Sequence, residues 1–257
     1  MANSGRIGEI TFIDNLAANT MGTGLIGLDG GTLATNSAYG LVWVQSLDTG
    51  DTSYVISQSA TLGQHIAGSG TGVNDNLKEF CSSDTMFYGQ TGFNAVEIMV
   101  QFDAVTNMTF NFGFHDDVTE SSSVIPVELS TATWASTAST FLGFVFDTQA
   151  TNDELHCFWV DDDTDTVVAL GDLRCKGMAL TANKWLYMRV EMQDCGSGKP
   201  VRATFHAVHD GKSITKEFDT TVDRDAALCY YFGVVATSTT PRGIFIKAPG
   251  WTQTIAD

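Results

Sequence analysis

An acidic run near the middle of the chain has the spacing of calcium ligands. Carboxylates stand at alternate positions in Asp161, Asp163 and Asp165, as in the first half of an EF-hand-type loop, and Asp172 falls at its last ligand position. Such a loop needs a glycine for its sharp turn, and Thr166 stands there instead. We therefore expect a solvated hairpin tip, with a calcium site as the weaker alternative.

A second acidic pair has the spacing of a hydrolytic site. Glu217 and Asp219 alternate on a predicted strand, so both side chains share one face. Glycoside hydrolysis uses two carboxylates held roughly 5–10 Å apart. Glycosidases built on β-sandwiches carry a Glu-x-Asp-x-x-Glu strand motif, and Val222 stands where that motif has its last glutamate. We expect a solvated face here, predict no catalytic residues and no enzyme activity, and keep a hydrolase as an alternative.

Histidine and cysteine show no spacing typical of a metal site. The five histidines form no close pair, and His206 and His209 should point to opposite faces of a strand. The cysteines are odd in number, and no C-x-x-C pair occurs. In a reducing compartment we expect buried thiols rather than disulfides, and we predict no metal or cofactor. The cysteines are Cys81, Cys157, Cys175, Cys195 and Cys229.

One tryptophan lies where an aromatic ring could contact a sugar. Trp134 sits in a Ser/Thr/Ala-rich segment that reads as a loop. An aromatic ring in a loop can stack on a saccharide, but it more often anchors a core or an interface. We name Trp134 as the residue for a possible sugar or partner contact, with the anchoring role as the expected one.

Composition limits the classes of partner. The 257 residues carry 30 acidic and 13 basic side chains, a formal net charge of −17. Such a field repels phosphates, so we expect no nucleic-acid partner and no binding to anionic lipids. No apolar run is long enough to span a membrane, and we see no signal peptide at the start. We therefore expect synthesis in a cytoplasm and no membrane insertion.

Alternating patterns predict strands along most of the chain. In the segment 185–192, Leu186, Met188 and Val190 share one face while Arg189 and Glu191 lie on the other. Phe110, Phe112 and Phe114 alternate similarly, and Asp210-Gly211 predicts a hairpin. The remaining predicted strands are Glu9–Ile13, Tyr39–Val44, Ser53–Ser57, Ala95–Phe102, Phe141–Phe146, Leu155–Val160, Thr166–Leu170, Ala203–Ala207, Ser213–Phe218, Tyr230–Ala236 and Gly243–Lys247.

Many short strands with almost no helix predict an all-β sandwich of two antiparallel sheets. A single helical turn is expected only at 223–227. No linker divides the chain, so we predict one domain over residues 1–257. Within it, residues 1–8 form an expected N-terminal arm, and residues 9–94 are a Gly/Ser/Thr-rich part of the same domain.

A series of short motifs runs in order from about Ala95 to Ile246. The motifs are Phe112-Gly113-Phe114-His115-Asp116-Asp117, Ile125-Pro126, Gly143-Phe144-Val145-Phe146-Asp147-Thr148, Trp185-Leu186-Tyr187-Met188-Arg189-Val190-Glu191, Ala203-Thr204-Phe205, Asp210-Gly211-Lys212 and Tyr231-Phe232-Gly233-Val234-Val235. Their order resembles that of the concanavalin A-like (LamG-like) jelly-roll modules of tailed-bacteriophage structural proteins. Each motif is short, and their order carries the resemblance, which covers somewhat over half of the chain.

Legume-type lectins share this broad fold and bind a metal pair beside a Glu-x-Asp strand. Asp147 matches that pattern, but Val145 occupies the position of the acidic ligand, and Asn152 stands one residue late. We therefore expect no metal pair, and expect Asp147 to cap a turn at the end of a strand.

The resemblance implies a structural virion protein, a capsid decoration or stabilising protein that is assembled in the host cytoplasm and exposed on the particle surface. Its expected partners are the major capsid protein or other virion proteins and further copies of itself, with a trimer as our guess. The alternative is a lectin-like carbohydrate-binding module that attaches to glycans on a host surface.

Overall fold

The protein is described by a computed structural model. The structure describes residues 9–13, 27–28, 43–47, 55–69, 76–82, 85–117, 125–130, 133–150, 153–162, 164–165, 173–238 and 243–254. Within these ranges the strands form two large, almost wholly antiparallel sheets and one small hairpin, which confirms the predicted all-β sandwich. The expected N-terminal arm lies outside the described residues.

The first sheet contains eight of the described strands. Its order is β17-β16-β15-β7-β19-β5-β4, with β1 also paired to β19. Its strands are β1 (Glu9–Ile13), β4 (Val55–Ser59), β5 (Gly63–Ser69), β7 (Phe93–Phe102), β15 (Leu186–Gln193), β16 (Arg202–His209), β17 (Lys212–Asp219) and β19 (Gly243–Thr254).

The second sheet contains nine of the described strands. Its order is β13-β12-β11-β8-β18-β6-β3-β2, with β14 also paired to β12. Its strands are β2 (Gly27–Leu28), β3 (Trp43–Leu47), β6 (Asn76–Ser82), β8 (Met108–His115), β11 (Phe141–Asp147), β12 (Glu154–Asp161), β13 (Thr164–Asp165), β14 (Arg174–Ala179) and β18 (Cys229–Ala236). A separate hairpin joins β9 (Val127–Ser130) to β10 (Thr133–Ser136).

Phenylalanines fill the space between the two sheets. Phe110 stacks on Phe102 of the first sheet with ring centroids 5.2 Å apart, and Phe144 meets Phe205 edge-on at 5.4 Å. These side chains are fully or almost fully buried. Large aromatic side chains dominate core energetics because each removes much apolar surface from water. The alternating Phe residues of the sequence therefore do form the inner face of the sandwich.

The two outer faces differ. Along β15 and β17, buried or half-buried residues alternate with more exposed ones, as expected of a sheet with one wet face. Every residue of β8, β11 and β18 is buried, so these central strands of the second sheet are covered on both faces. The hairpin β9–β10 supplies part of that cover: the Asn111 carboxamide donates to the Val127 carbonyl and accepts from the Val127 amide, at 2.9 and 2.8 Å.

Several local predictions need correction or extension. The segment Asp223–Ala227 is a turn closed by the Ala226 amide and the Asp223 carbonyl, not a helical turn. The last strand runs to Thr254, well beyond Lys247, because a bulge with Ala248 at φ 46° lets pairing resume at Gly250. The Asp210-Gly211 hairpin is confirmed, with both residues at positive φ. The predicted strand 166–170 lies outside the described residues.

Gly143 lies where β11 comes very close to its neighbours. A Cβ on Gly143 would overlap the carbonyl oxygen of Phe112 on β8 and would lie 2.6 Å from Cζ of Phe141. The Phe112 carbonyl belongs to the backbone of a central strand and cannot swing aside. Only glycine therefore fits this position.

We expect Gly143→Ala to lower the free energy of unfolding by about 2 kcal/mol or more, because overpacking a rigid core forces backbone shifts. Ser213→Ala, on the exposed edge strand β17, is the matched control and should change it by less than about 0.5 kcal/mol. Urea unfolding measures both. Equal midpoints for the two variants would contradict the packing described here.

Candidate functional site

Asp147 lies at the end of β11 and is completely buried. Its Oδ2 accepts from the Leu129 amide of the β9–β10 hairpin at 2.9 Å, and its Oδ1 accepts from the Gln149 amide at 2.7 Å. Both carboxylate oxygens thus bind backbone N–H groups. The expected turn-capping role is confirmed, and the same carboxylate also holds the hairpin.

The acidic run 161–165 forms a tight hairpin rather than an open loop. Val160 pairs with Asp165 and Asp161 with Thr164, so Asp161 and Asp165 belong to strands and the tip is shorter than predicted. The Asp161 Oδ1 accepts from the Asp223 amide at 3.1 Å. Burial, with the neighbouring carboxylates of Asp223 and Asp162, raises the pKa of Asp161.

The described part of this hairpin does not test the calcium hypothesis. Asp163 and Asp172 lie outside the described residues, as does the side chain of Asp165. Among the described side chains, no three His, Cys, Asp or Glu residues come together as metal ligands. The calcium site at Asp161, Asp163 and Asp165 therefore stays a prediction.

Trp134 anchors the β9–β10 hairpin on the outer face of the second sheet. Its ring lies 4.9 Å from the His156 ring and 5.8 Å from the Phe158 ring, and it packs against the main core. Trp134 Nε1 and His156 Nδ1 are both buried without a hydrogen-bond partner. The structure thus gives Trp134 the anchoring role, and a sugar contact by Trp134 stays a prediction.

Glu217 and Asp219 project from the edge strand β17. Their side chains are 59% and 77% exposed, and both approach Arg202 on β16, at 3.5 and 2.8 Å. An exposed pair held by an arginine is what a solvated face looks like, and such contacts contribute little to stability.

The alternation predicted for His206 and His209 is confirmed, with His206 on the outer face of the first sheet and His209 buried. The His209 Nε2 accepts from the Thr181 amide, and its Nδ1 lies 3.1 Å from the Trp185 carbonyl. Four of the five cysteines are buried as expected, but Cys195 is partly exposed.

A buried cysteine–histidine pair was not foreseen. Cys229 and His115 face each other across β18 and β8. Burial opposes charge on both, but their hydrogen bond and nearby charges, Asp116 among them, raise the pKa of His115 to about 9. Hydrogen bonds from Cys81 and His115 lower the pKa of Cys229 to about 7 against its own burial. Both side chains are at most 1% exposed, so neither is accessible as a nucleophile.

An open groove of about 520 Å³ lies at the loop end of the sandwich, where three connections meet. The connections are the 3₁₀ turn Gly89–Thr91, the link between β15 and β16, and the link between β17 and β18. The groove is lined by Gln90, Gly198, Lys199, Pro200, Thr221, Asp223, Arg224 and Asp225.

Rigid contacts hold the groove walls in place. Arg224 binds Asp194 through two hydrogen bonds, Nε to Oδ1 at 2.9 Å and Nη2 to Oδ2 at 2.6 Å. This contact lowers the pKa of the Asp194 carboxyl. The Gln90 amide donates to the Arg224 carbonyl at 2.7 Å, and Asp161 holds the Asp223 amide. Asp194 and Asp161, which lie outside the lining, thus hold the connection that carries Arg224 and Asp223.

The groove presents complementary hydrogen-bonding groups on that fixed frame. Asp223 and Asp225 offer acceptors, Gln90 and Lys199 offer donors, and the Thr221 hydroxyl can do both. These side chains are exposed, in contrast to the buried Asp147 and His115. Such an arrangement can bind a polar molecule that carries several hydroxyl groups.

Comparison with solved structures identifies the fold. Peanut lectin with a 9mer peptide matches at a TM-score of 0.56 with 10% identity over 97% of this chain and 99% of that one. Arcelin-5, a lectin-like defence protein from Phaseolus vulgaris, matches at 0.53 with 9% identity over 96% and 99%. The carbohydrate recognition domain of Emp46p matches at 0.51 with 8% identity over 81% and 87%.

The chain therefore has the concanavalin A-like jelly-roll fold of the legume lectins. At about 10% identity, these likenesses show the fold alone. No family model matches the sequence, and no characterised protein matches it in sequence. No helix among the described residues is long and apolar enough to cross a membrane.

No sequence pattern pointed to the groove or to the cysteine–histidine pair. Residues 90, 199 and 221–225 are far apart in sequence, and no motif links them. Cys229 and His115 are 114 positions apart, and only the register of β18 on β8 brings them together. The one available hint was the turn-rich segment 194–198, which marks a loop but not its neighbours.

His156 makes stability sensitive to acid. Burial, reinforced by the charge of Arg174, lowers the pKa of His156 to about 4 from 6.5. Above pH 6.5 the imidazole is neutral in both states. Below it the unfolded chain takes the proton first, so the folded state loses stability as the pH falls from 6.5 towards 4.

We expect the titration of His156 alone to lower the free energy of unfolding by roughly 3 kcal/mol as the pH falls from 6.5 to 4. His156→Leu keeps an apolar contact for Trp134 and removes the titrating group. Denaturant unfolding at a series of pH values in this range should therefore show a shallower loss for the variant. If the variant loses stability as steeply as the unaltered protein, His156 is not the source of the acid sensitivity.

Proposed function

We propose that this protein is a lectin-like carbohydrate-binding module that takes saccharides in the loop-end groove. The observation that carries the proposal is the set of exposed acceptors and donors, Asp223, Asp225, Gln90 and Lys199, on a backbone fixed by the Arg224–Asp194 contact. A carboxylate accepts from two neighbouring hydroxyls of a sugar ring, and amide and ammonium groups donate to its oxygens.

The fold is compatible with carbohydrate binding. Peanut lectin and the carbohydrate recognition domain of Emp46p are built on the same sandwich. The chemistry must come from this chain's own residues, because a shared fold hosts many functions. Val145 stands where the lectin-type metal pair would need a carboxylate, and both oxygens of Asp147 already accept from backbone N–H groups. We therefore assign recognition to the groove, without a metal.

Binding without turnover is part of the proposal. A glycosidase needs a protonated and an ionised carboxyl facing one another across the scissile bond. Glu217 and Asp219 instead share Arg202 on an exposed strand, in the arrangement of a solvated ion-pair cluster. We expect no hydrolysis by this chain.

A glycan array followed by calorimetry tests the proposal. We expect binding to at least one class of saccharide, and at least about tenfold weaker binding for Asp223→Asn and for Lys199→Ala, because a charge-assisted hydrogen bond is worth about 1.5–3 kcal/mol. Asp219→Asn is the matched control, an exposed carboxylate outside the groove, and should bind normally. A blank array, or binding that both groove variants leave intact, would count against the proposal.

A structural virion protein remains the second candidate. It is supported by the order of motifs between Phe112 and Val235, and the lectin-like structures bear on the fold rather than on any particle. Under this hypothesis the chain decorates a capsid, contacts the major capsid protein and assembles as a trimer, and a glycan-binding groove would serve attachment. Absence of the chain from purified particles would end this second hypothesis.

A further inference from the structure

Two cysteines meet inside the sandwich on neighbouring strands. The Sγ atoms of Cys157 on β12 and Cys175 on β14 lie 3.8 Å apart. Both thiols are free, and the residues are 0% and 1% exposed. A disulfide needs its sulfurs about 2.05 Å apart, so closing this gap needs a small strand shift and side-chain rotation. The spacing in sequence gave no sign of this pairing.

β14 is the strand that can supply that movement. Its pairing with β12 is irregular: Glu154 opposes Ala179 and His156 opposes Arg174, with a shift of register between them. The Glu154 side chain bridges the irregular region by accepting from the Gly177 amide at 2.6 Å and contacting Arg174 Nε at 3.0 Å. Irregular edge pairing opens at a lower free-energy cost than a central ladder.

We infer that Cys157 and Cys175 form a redox-active pair that is oxidised to a disulfide by small-molecule disulfides, stapling the edge strand β14 to β12. In the first step the Cys175 thiolate attacks a sulfur of the oxidant. A mixed disulfide forms and one thiolate of the oxidant leaves. In the second step the deprotonated Cys157 attacks the Cys175 sulfur and expels the second thiolate. Two protein thiols are oxidised and one small disulfide is reduced to two thiols.

The surroundings favour this order of attack. The hydrogen bond from the Cys157 thiol lowers the pKa of Cys175, and burial raises the pKa of Cys157. Because the thiolate is the nucleophile, Cys175 is the first to react once β14 opens. Cys175 also lies on the edge strand β14, whereas Cys157 lies on β12, which pairs with β11, β13 and β14.

The other cysteines provide contrasts within the same chain. Cys195 is partly exposed in the link after β15, and its contact is with the Gln193 carbonyl. The Cys229 thiol donates to the Asp117 carbonyl and interacts with His115. Cys195→Ser therefore serves as the matched control, since it removes a more accessible thiol without touching the pair.

The test equilibrates the full chain with a mixture of reduced and oxidised glutathione, stops exchange with acid and maps peptides after peptic digestion. We expect one linked peptide pair joining Cys157 to Cys175, together with a rise in melting temperature of about 5–10 °C over the reduced protein. Cys195→Ser should keep both effects. Cys175→Ser and Cys157→Ala should lose both, and the linked peptide in the unaltered protein is decisive even if these variants fold poorly.

Two results would overturn the inference. One is recovery of both thiols in free form after oxidation. The other is glutathione bound to either cysteine with no link between them, which would mean that the second attack does not occur. The pair is independent of the saccharide proposal, because neither cysteine lines the groove.

Discussion

The second sheet depends on two buried polar side chains that hold a hairpin over its outer face. Asn111 makes both hydrogen bonds with the backbone of Val127, and Asp147 accepts from the amide of Leu129. Breaking one of these contacts would leave a buried polar group without a partner, at a cost of about 1–3 kcal/mol. With the hairpin in place, Trp134 packs on His156 and the central strands are buried on both faces. The same carboxylate, Asp147, is the one that matches the lectin-type metal pattern, and here its two oxygens hold the hairpin and the following turn.

How well the sequence predicted each strand depended on what covers it. The strands β15, β16 and β17 have one wet face, so their alternation is plain in the sequence and their positions were predicted well. β14 and the β9–β10 hairpin were missed because they are short and their pairing relies on side chains such as Glu154 and Asn111. The end of β19 was missed because a bulge at Ala248 carries the strand past the apparent stop.

The candidate site could not be predicted for a different reason. Sequence patterns identify residues that lie close together in the chain, and from them Asp147 was correctly predicted to cap a turn and Glu217 with Asp219 to form a solvated pair. The groove draws single residues from three separate connections, and Arg224 is positioned by Asp194 from outside its lining. The groove in this sandwich is therefore formed by the packing of loops rather than by a strand motif.

We propose that saccharides bind at the loop end. Assignment of the backbone amide resonances of this 27.6 kDa chain and titration with a saccharide would locate the binding surface directly. We expect the backbone amides of Gln90, Thr221 and Asp223 to shift in a saturable manner while those of Leu129 and Gln149 stay in place. Saturable shifts confined to the Trp134 hairpin and the Asp147 turn, with none around the groove, would contradict it.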